Sequence, residues 1–165
     1  MPTASTQTDA LLDAAILAAR GSPNRVRRVG AVLLGADGQQ RLSACNTFPL
    51  GVQDTEFRHQ GNGRLVWMEH AERNAIYAAA RAGMATEGAT LAATFFPCLD
   101  CARAIVQSGI RHLHTLPPAL DDPVWGASFS PSRTILEEGG VELHFSERDP
   151  LAVHTSTMAD LPPGA

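Results

Sequence analysis

Four residues in two short segments have side chains that could hold a metal ion and move protons. His70 and Glu72 lie two residues apart in HAE, and Cys98 and Cys101 form a C-x-x-C pair in PCLDC. Catalytic zinc sites use three cysteine, histidine or carboxylate ligands and leave a fourth position open. One imidazole and two thiolates would supply those ligands, which leaves the carboxylate of Glu72 free for acid–base chemistry.

The C-x-x-C pair alone leaves two other interpretations open. A thioredoxin-like redox dithiol has the same spacing and also lies at a helix start. A closed structural zinc site would need a fourth ligand, and Cys45 is the only other cysteine. The histidine and carboxylate in HAE favour a catalytic zinc site over both alternatives.

The spacing of His70 and Glu72 predicts where a helix begins. The run MEHAERNAIYAAAR indicates a helix over 69–82 that ends at Gly83. Residues two apart in a regular helix point to nearly opposite sides. His70 and Glu72 can therefore face one pocket only if His70 still has the geometry of a helix cap.

The second motif is also expected at a helix start. PCLDCARAIVQSG predicts a helix with Pro97 at its beginning and Gly109 at its end. Helices that follow strands of one open α/β sheet begin along the same sheet edge, where ligands bind. We therefore expect His70, Glu72, Cys98 and Cys101 to meet in one pocket.

Apolar periodicity and turn signals predict an α-β-β-α-β-α-β-α-β order. Helices between later strands imply that strands 3, 4 and 5 run parallel, after an antiparallel hairpin. The expected fold class is α/β, a three-layer α/β/α sandwich on a five-stranded mixed sheet. The predicted helices are 8–20, capped by Thr8 or Asp9, then 69–82, 97–109 and 130–140, capped by Ser130; the predicted strands are 28–34, 41–46, 89–95, 111–116 and 141–145.

The 165-residue chain is expected to form one catalytic domain over 1–150, followed by a loose or partner-docked tail over 151–165. The polar stretch 47–64 is expected to be a long loop, either functional or disordered. No apolar run is long enough to span a membrane, and the segment MPTASTQTDA does not have the basic-then-apolar pattern of a secretion signal, so we expect a cytoplasmic protein. Its net charge of −4 argues against nucleic-acid binding. All thirteen basic residues are arginines, so an anion site cannot use lysine.

H-x-E…P-C-x-x-C is the signature of zinc-dependent base deaminases. Over about residues 11–145 the chain resembles the cytidine/deoxycytidylate deaminase superfamily, and most of all its deoxycytidylate (dCMP) deaminase branch. The segments that carry the resemblance are RRVGAVLL, CNTFPLG, HAERNAI, FFPCLDCARAIVQSGI and ILEEGGVEL.

The resemblance implies a hydrolytic enzyme that converts a cytosine nucleotide, dCMP to dUMP, with release of ammonia. It implies Zn²⁺ as cofactor, the cytidine deaminase-like fold with strands 4 and 5 parallel, and assembly into a homo-oligomer. The residues with implied roles are His70, Cys98 and Cys101 as zinc ligands, Glu72 as proton carrier, the backbone N–H of Ala71 for the pyrimidine carbonyl, Asn46 for the sugar or ring, and Phe48 and Trp125 for base stacking.

Other substrates and one other class of protein remain open at this point. The same chemistry could act on a free nucleoside, a purine base or another aminated heterocycle. The chain could also be a tRNA- or DNA-editing deaminase, or a catalytically silent binding module with this fold. The stretch 47–64 contains no cysteine, so the resemblance does not extend to the second Cys/His metal site that many dCMP deaminases carry in this loop.

Overall fold

A five-stranded sheet with the strand order β2-β1-β3-β4-β5 forms the centre of the molecule. The structure, a computed structural model, describes residues 4–160. Its elements in chain order are α1 (Ala4–Ala19), β1 (Gly30–Leu34), β2 (Arg41–Cys45), α2 (Glu56–His59), α3 (Gly63–Trp67), α4 (Ala71–Ala82), β3 (Thr90–Ala93), α5 (Leu99–Gln107), β4 (His112–Thr115), α6 (Gly126–Glu138), β5 (Glu142–Phe145) and α7 (Pro150–Met158).

The sheet is mixed, as the sequence predicts. Strand β1 pairs antiparallel with both β2 and β3, whereas β3, β4 and β5 run parallel. Parallel neighbours need a crossover, and α5 and α6 provide the two crossovers between these strands. The predicted α/β fold with parallel strands 4 and 5 is therefore confirmed.

Small side chains let α4 pack closely on the sheet. Ala71, Ala75 and Ala79 of α4 are fully buried in the main core, where they join Ala31 and Leu33 of β1. Alternate residues of a strand point to the same face, so this packing uses one face of β1. Helix α1 lies against the opposite face.

Gly30 lies where α1 crosses β1 with almost no space between the two backbones. A Cβ atom at position 30 would lie 1.8 Å from the carbonyl oxygen of Ala15 and 2.5 Å from the amide nitrogen of Ala19. Both neighbours are backbone atoms, so α1 would have to move away from the sheet to admit a methyl group. The absence of a side chain at this position therefore sets the distance between the first two layers.

We expect Gly30→Ala to lower the free energy of unfolding by about 1–3 kcal/mol or more, because overpacking strains the α1–β1 contact. Urea denaturation measures the change. Gly21→Ala is the matched control, since a Cβ there meets its nearest neighbour, the carbonyl oxygen of Ala18, at an ordinary 3.5 Å, and it should change stability by about 0.5 kcal/mol or less. Equal stability of the two variants would contradict the close packing.

Two sequence predictions about the N-terminal half are wrong. Helix α1 already includes Ala4, so neither Thr8 nor Asp9 is a cap; their side chains bond instead to His114 and Ser146. The stretch 47–64 is not one irregular loop, because it contains α2 and the beginning of α3. These helices have four and five residues, too short to show a helical period.

The starts of two later helices also differ from the predictions. Cys98 is the N-cap of α5, so Pro97 lies one residue outside the helix instead of at its first position. Helix α6 begins at Gly126, not after Ser130. The Asp122 carboxylate accepts the N–H groups of Val124 and Trp125 and so organises this earlier start. Pro131 then lies inside α6, where it removes one backbone hydrogen bond.

The predicted loose tail is wrong for residues 150–158, which form α7. The Asp149 side chain accepts the N–H of Leu151 and caps this helix. Val153 packs with Ile16 of α1 and Leu116 in a second apolar cluster. Residues 161–165 of the predicted tail lie outside the described part of the chain. None of the helices that the structure describes has the length and apolar character that crossing a bilayer requires.

Candidate metal centre and active site

The two motif pairs meet because each stands at the beginning of a helix. His70 is the N-cap of α4 with extended backbone angles, φ −77° and ψ 151°. Cys98 is the N-cap of α5, also extended, with φ −70° and ψ 174°. The cap geometry that the spacing of His70 and Glu72 predicts is thus present. It turns His70 toward the first turn of α5 instead of around its own helix.

Backbone hydrogen bonds fix the position of the residues that precede α4. The N–H of Thr47 donates to the carbonyl of Glu69 at 3.1 Å, and the N–H of Glu69 donates to the carbonyl of Thr47 at 2.9 Å. The Asn74 amide also donates to the carbonyl of Cys45 at 2.9 Å. These bonds tie the residue before His70 to the end of β2, so the histidine is held by the sheet.

Three ligand atoms converge at this point. The Nδ1 of His70 lies 3.4 Å from the Sγ of Cys98 and 3.5 Å from the Sγ of Cys101. All three donor atoms lie within 4.8 Å of one another. With Zn–S near 2.3 Å and Zn–N near 2.0–2.1 Å, tetrahedral ligand atoms stand roughly 3.5–3.8 Å apart. The donor types and their separations therefore fit a zinc ion with three protein ligands.

The local charges favour a thiolate at this position. Contact with Cys101 lowers the pKa of Cys98 to about 4, against the effect of burial and with further help from His70. The same contact, together with burial, raises the pKa of Cys101 well above its ordinary value. A thiolate is the form of cysteine that binds metals.

Glu72 lies beside the three donor atoms on the first turn of α4. Its side chain is buried, and its Oε2 lies 3.6 Å from the Sγ of Cys101. Burial raises the pKa of Glu72, and Cys98 raises it further, although His70 acts in the opposite direction. A carboxyl whose pKa is moved toward neutrality can both accept and return a proton near pH 7. The site therefore combines a metal-binding set with a proton carrier.

A second group of contacts, which the sequence analysis missed, holds α5 to its neighbours α4 and α6. Arg73 forms ion pairs with Glu69 and, at 3.4 Å, with Asp100 of α5. The Ser132 hydroxyl of α6 donates to the carbonyl of Pro97 at 2.7 Å, directly before Cys98. Arg73 directly follows the HAE motif, so its place beside the site could have been predicted from the sequence. Ser132 belongs to no motif, so its contact with Pro97 could not have been predicted.

A cavity of about 510 Å³, counting space open to solvent, lies in front of the donor atoms. Its lining includes the candidates Asn46, Ala71 and Trp125 as well as His70, Glu72 and Cys98; the lining residues that the sequence analysis did not assign to the site are Asn24, Arg27, Val29, Arg64, Leu65, Met68, Phe95 and Phe96.

The candidate substrate residues differ in how they face this cavity. The Trp125 ring meets His70 edge-on, with 5.0 Å between ring centroids. The Asn46 side chain is held in place by accepting the N–H of Val29 at 2.8 Å and donating to the carbonyl of Arg27 at 2.9 Å. Phe48 is not among the lining residues, because it is buried edge-on against His59.

Comparisons with known proteins agree with this geometry. Residues 5–116 match the family described as "Cytidine and deoxycytidylate deaminase zinc-binding region". A probable deoxycytidylate deaminase of Drosophila melanogaster is 30% identical over 173 residues. This alignment covers 95% of this chain and 81% of the Drosophila protein. The deoxycytidylate deaminase of Enterobacteria phage T2 is 61% identical over 44 residues, 27% of this chain and 23% of the phage protein. The dCMP deaminase of cyanophage S-TIM5, solved with dCMP and dUMP, has a TM-score of 0.67 at 22% identity, covering 84% of this chain and 96% of its own.

Proposed function

Because this chain belongs to the cytidine and deoxycytidylate deaminase family, we propose that it hydrolyses dCMP to dUMP and ammonia, with His70, Cys98 and Cys101 as its zinc ligands. The observation that carries the proposal is the convergence of these donor atoms beside the buried carboxylate of Glu72, at a cavity that His70, Glu72 and Cys98 line. Bound zinc lowers the pKa of water toward about 7 and so supplies a nucleophile at neutral pH.

Glu72 is proposed to move the protons of the reaction. Its ionised carboxylate accepts a proton from the attacking water and delivers it to the ring nitrogen beside the amino-bearing carbon. It then accepts the proton of the hydroxyl group added to the ring carbon and delivers it to the amine, which leaves as ammonia as the new ring carbonyl forms. Burial suits Glu72 to this role, because it raises the pKa of the carboxyl and keeps bulk water from the transferred proton.

Three lining residues are proposed to hold the cytosine and its sugar. Ala71 is fully buried at the first position of α4, where backbone N–H groups have no partner within the helix and can bind the ring carbonyl. Trp125 flanks the ring from the side of His70. Asn46 is proposed for the sugar, since the backbone of Arg27 and Val29 fixes its amide at the cavity wall.

Arg27 is the proposed anchor of the 5′-phosphate. Its guanidinium lies 4.1 Å over the Phe95 ring and 3.0 Å from the carboxylate of Asp122, and both Arg27 and Phe95 line the cavity. These two contacts hold the cation in one orientation before a substrate binds. Arginine binds phosphate through paired N–H donors, so a fixed guanidinium at this wall favours a monophosphate over a nucleoside.

Arg27→Gln is expected to lower kcat/KM for dCMP by roughly 10–100-fold, the effect of a lost hydrogen bond to a charged group. The value for deoxycytidine, which has no phosphate, should change far less. Steady-state kinetics with both substrates measures the split. Arg25→Gln is the control, since Arg25 is exposed and pairs with Glu56 away from the cavity. An equal loss on both substrates would remove Arg27 from phosphate recognition.

A panel of substrates tests the proposed function as a whole. Ammonia release would be measured from dCMP, CMP, cytidine, deoxycytidine, adenosine and guanine with zinc-loaded protein. The proposal expects the highest kcat/KM for dCMP. Turnover of a nucleoside or a base together with inert dCMP would overturn the substrate assignment and leave the chemistry intact.

Assembly and location are further parts of the proposal. We propose that the protein forms a homo-oligomer and works in the cytoplasm, as the family resemblance and the composition predict. Light scattering on the purified full chain measures the mass in solution. A mass equal to that of a single 17.5 kDa chain at working concentration would contradict the first of these two statements.

A further inference from the structure

A second group of metal-binding side chains lies at the edge of the sheet, on strands β4 and β5. His112 is directly opposite Glu142 in the parallel register, and His114 is directly opposite His144. Alternate residues of a strand point to the same face, so all four side chains lie on one face. His112 and Glu142 begin their strands, whereas Cys98 follows the carboxyl end of β3. Because β3, β4 and β5 are parallel, this group lies toward the sheet edge opposite the catalytic centre.

Three donor atoms of this group converge. The Nδ1 of His112 lies 3.3 Å from the Nε2 of His144 and 3.4 Å from the Oε2 of Glu142. All three lie within 4.8 Å of one another. With metal–ligand distances of about 2.0–2.2 Å, two nitrogen or oxygen ligands of a tetrahedral zinc stand roughly 3.3–3.5 Å apart. The two shorter separations are those of ligands that share one ion.

The inner side of the group is held in place. The His144 ring stacks on His114 with 4.4 Å between centroids and an interplanar angle of 12°. His114 is buried, and its Nδ1 lies 2.8 Å from the Thr8 hydroxyl of α1. A stacked ring on a fixed neighbour has little freedom to rotate, so the Nε2 of His144 stays directed at His112. Fixed ligands lower the ordering cost of binding an ion.

The outer side is open to solvent. The side chains of His112 and Glu142 are 36% and 59% exposed, so an ion can enter without any opening of the fold. Two imidazoles and one carboxylate leave a fourth position for water. This donor set suits divalent transition ions such as Zn²⁺, whereas Ca²⁺ and Mg²⁺ prefer sites built of oxygen atoms.

We propose that His112, Glu142 and His144 form a second metal site, selective for a divalent transition ion and separate from the catalytic centre. It joins the two outermost parallel strands, so a bound ion cross-links β4 to the edge strand β5. The site contains no thiolate, unlike the His70, Cys98 and Cys101 centre. It therefore binds its ion more weakly and exchanges it with the medium.

Calorimetric titration of Zn²⁺ into full-length protein that already holds one equivalent of zinc tests the proposal. The wild-type protein is expected to bind a second equivalent. His112→Ala and His144→Ala should each abolish this uptake, and excess Ca²⁺ should leave it unchanged. His59→Ala is the control, because it removes a histidine of α2 that is paired with the Asp54 carboxylate. This variant should still bind the second equivalent of zinc.

Three results would overturn the second site: no second equivalent in the wild-type protein, a second equivalent that survives in either alanine variant, or displacement of the zinc by Ca²⁺. The first result would mean that the 3.3 Å contact is only a hydrogen bond between two imidazoles. The measurement reads zinc binding and not turnover. Its failure is therefore distinguishable from a failure of the proposed deaminase function.

Discussion

Glu72→Gln is expected to retain its zinc and to lose nearly all turnover. The amide has almost the shape of the carboxylate, so the buried position beside Cys101 stays filled, but an amide cannot accept and return a proton. General acid–base catalysis contributes about 10²–10⁴-fold to a rate, and Glu72 serves several proton transfers in the proposed mechanism. Steady-state kinetics together with zinc analysis of the same sample measures both halves of this prediction.

The matched control is Glu137→Gln, which changes an exposed carboxylate that pairs with Arg133 on α6. It should leave both turnover and zinc content unchanged. A Glu72→Gln protein with full activity would contradict the mechanism, and one without zinc would mean that Glu72 acts on the metal site itself.

The pH dependence of the wild-type enzyme follows from the same carboxyl. Glu72 must be ionised to accept the first proton, and burial raises its pKa above the ordinary value. kcat/KM should therefore fall as the pH drops through this raised pKa, at a higher pH than an exposed glutamate would produce. An activity that stays constant down to the ordinary titration range of glutamate would contradict Glu72 as the base.

Cys101→Ser is expected to remove both the zinc and the activity. Cys101 is fully buried and supplies one of the three donor atoms, and a serine hydroxyl does not provide the soft anionic ligand that a thiolate provides. We expect the zinc content to fall from one ion per chain to nearly none at the catalytic centre. Metal analysis after dialysis against a weak chelator, which also empties exchangeable sites, measures this change.

Cys45→Ser is the control for Cys101→Ser. Cys45 is half-buried on β2 and burial raises its pKa, so it is a small packing residue and not a metal ligand. It should keep its zinc and its activity. Zinc loss in Cys45→Ser, or stoichiometric zinc in Cys101→Ser, would contradict the assignment of the ligands.

The cap of α4 could be predicted from the sequence because local geometry determines it. An imidazole and a carboxylate two residues apart cannot share a helix face, so His70 had to be the cap of α4, and the structure has it there. The parallel strands followed from the helices between them. The first inference needs only a short segment of sequence, and the second needs only the known handedness of the crossovers between parallel strands.

The lining residues that the sequence analysis did not assign to the site depend on long-range contacts. Arg27 reaches the site through the Phe95 ring and the Asp122 carboxylate, which are 68 and 95 positions away in the chain. The early start of α6 likewise depends on the Asp122 side chain. Phe48 was predicted to stack on the base, but it packs against His59 of α2, a helix that the sequence pattern did not reveal.

The site is proposed to remove the amino group of dCMP with the help of zinc. The most direct measurement follows dUMP and ammonia from dCMP, using protein loaded with zinc, stripped by a chelator and then reloaded. We expect the two products in equal amounts, activity lost on stripping and regained on reloading. No dUMP from the zinc-loaded protein, or undiminished production from the fully stripped protein, would contradict the account.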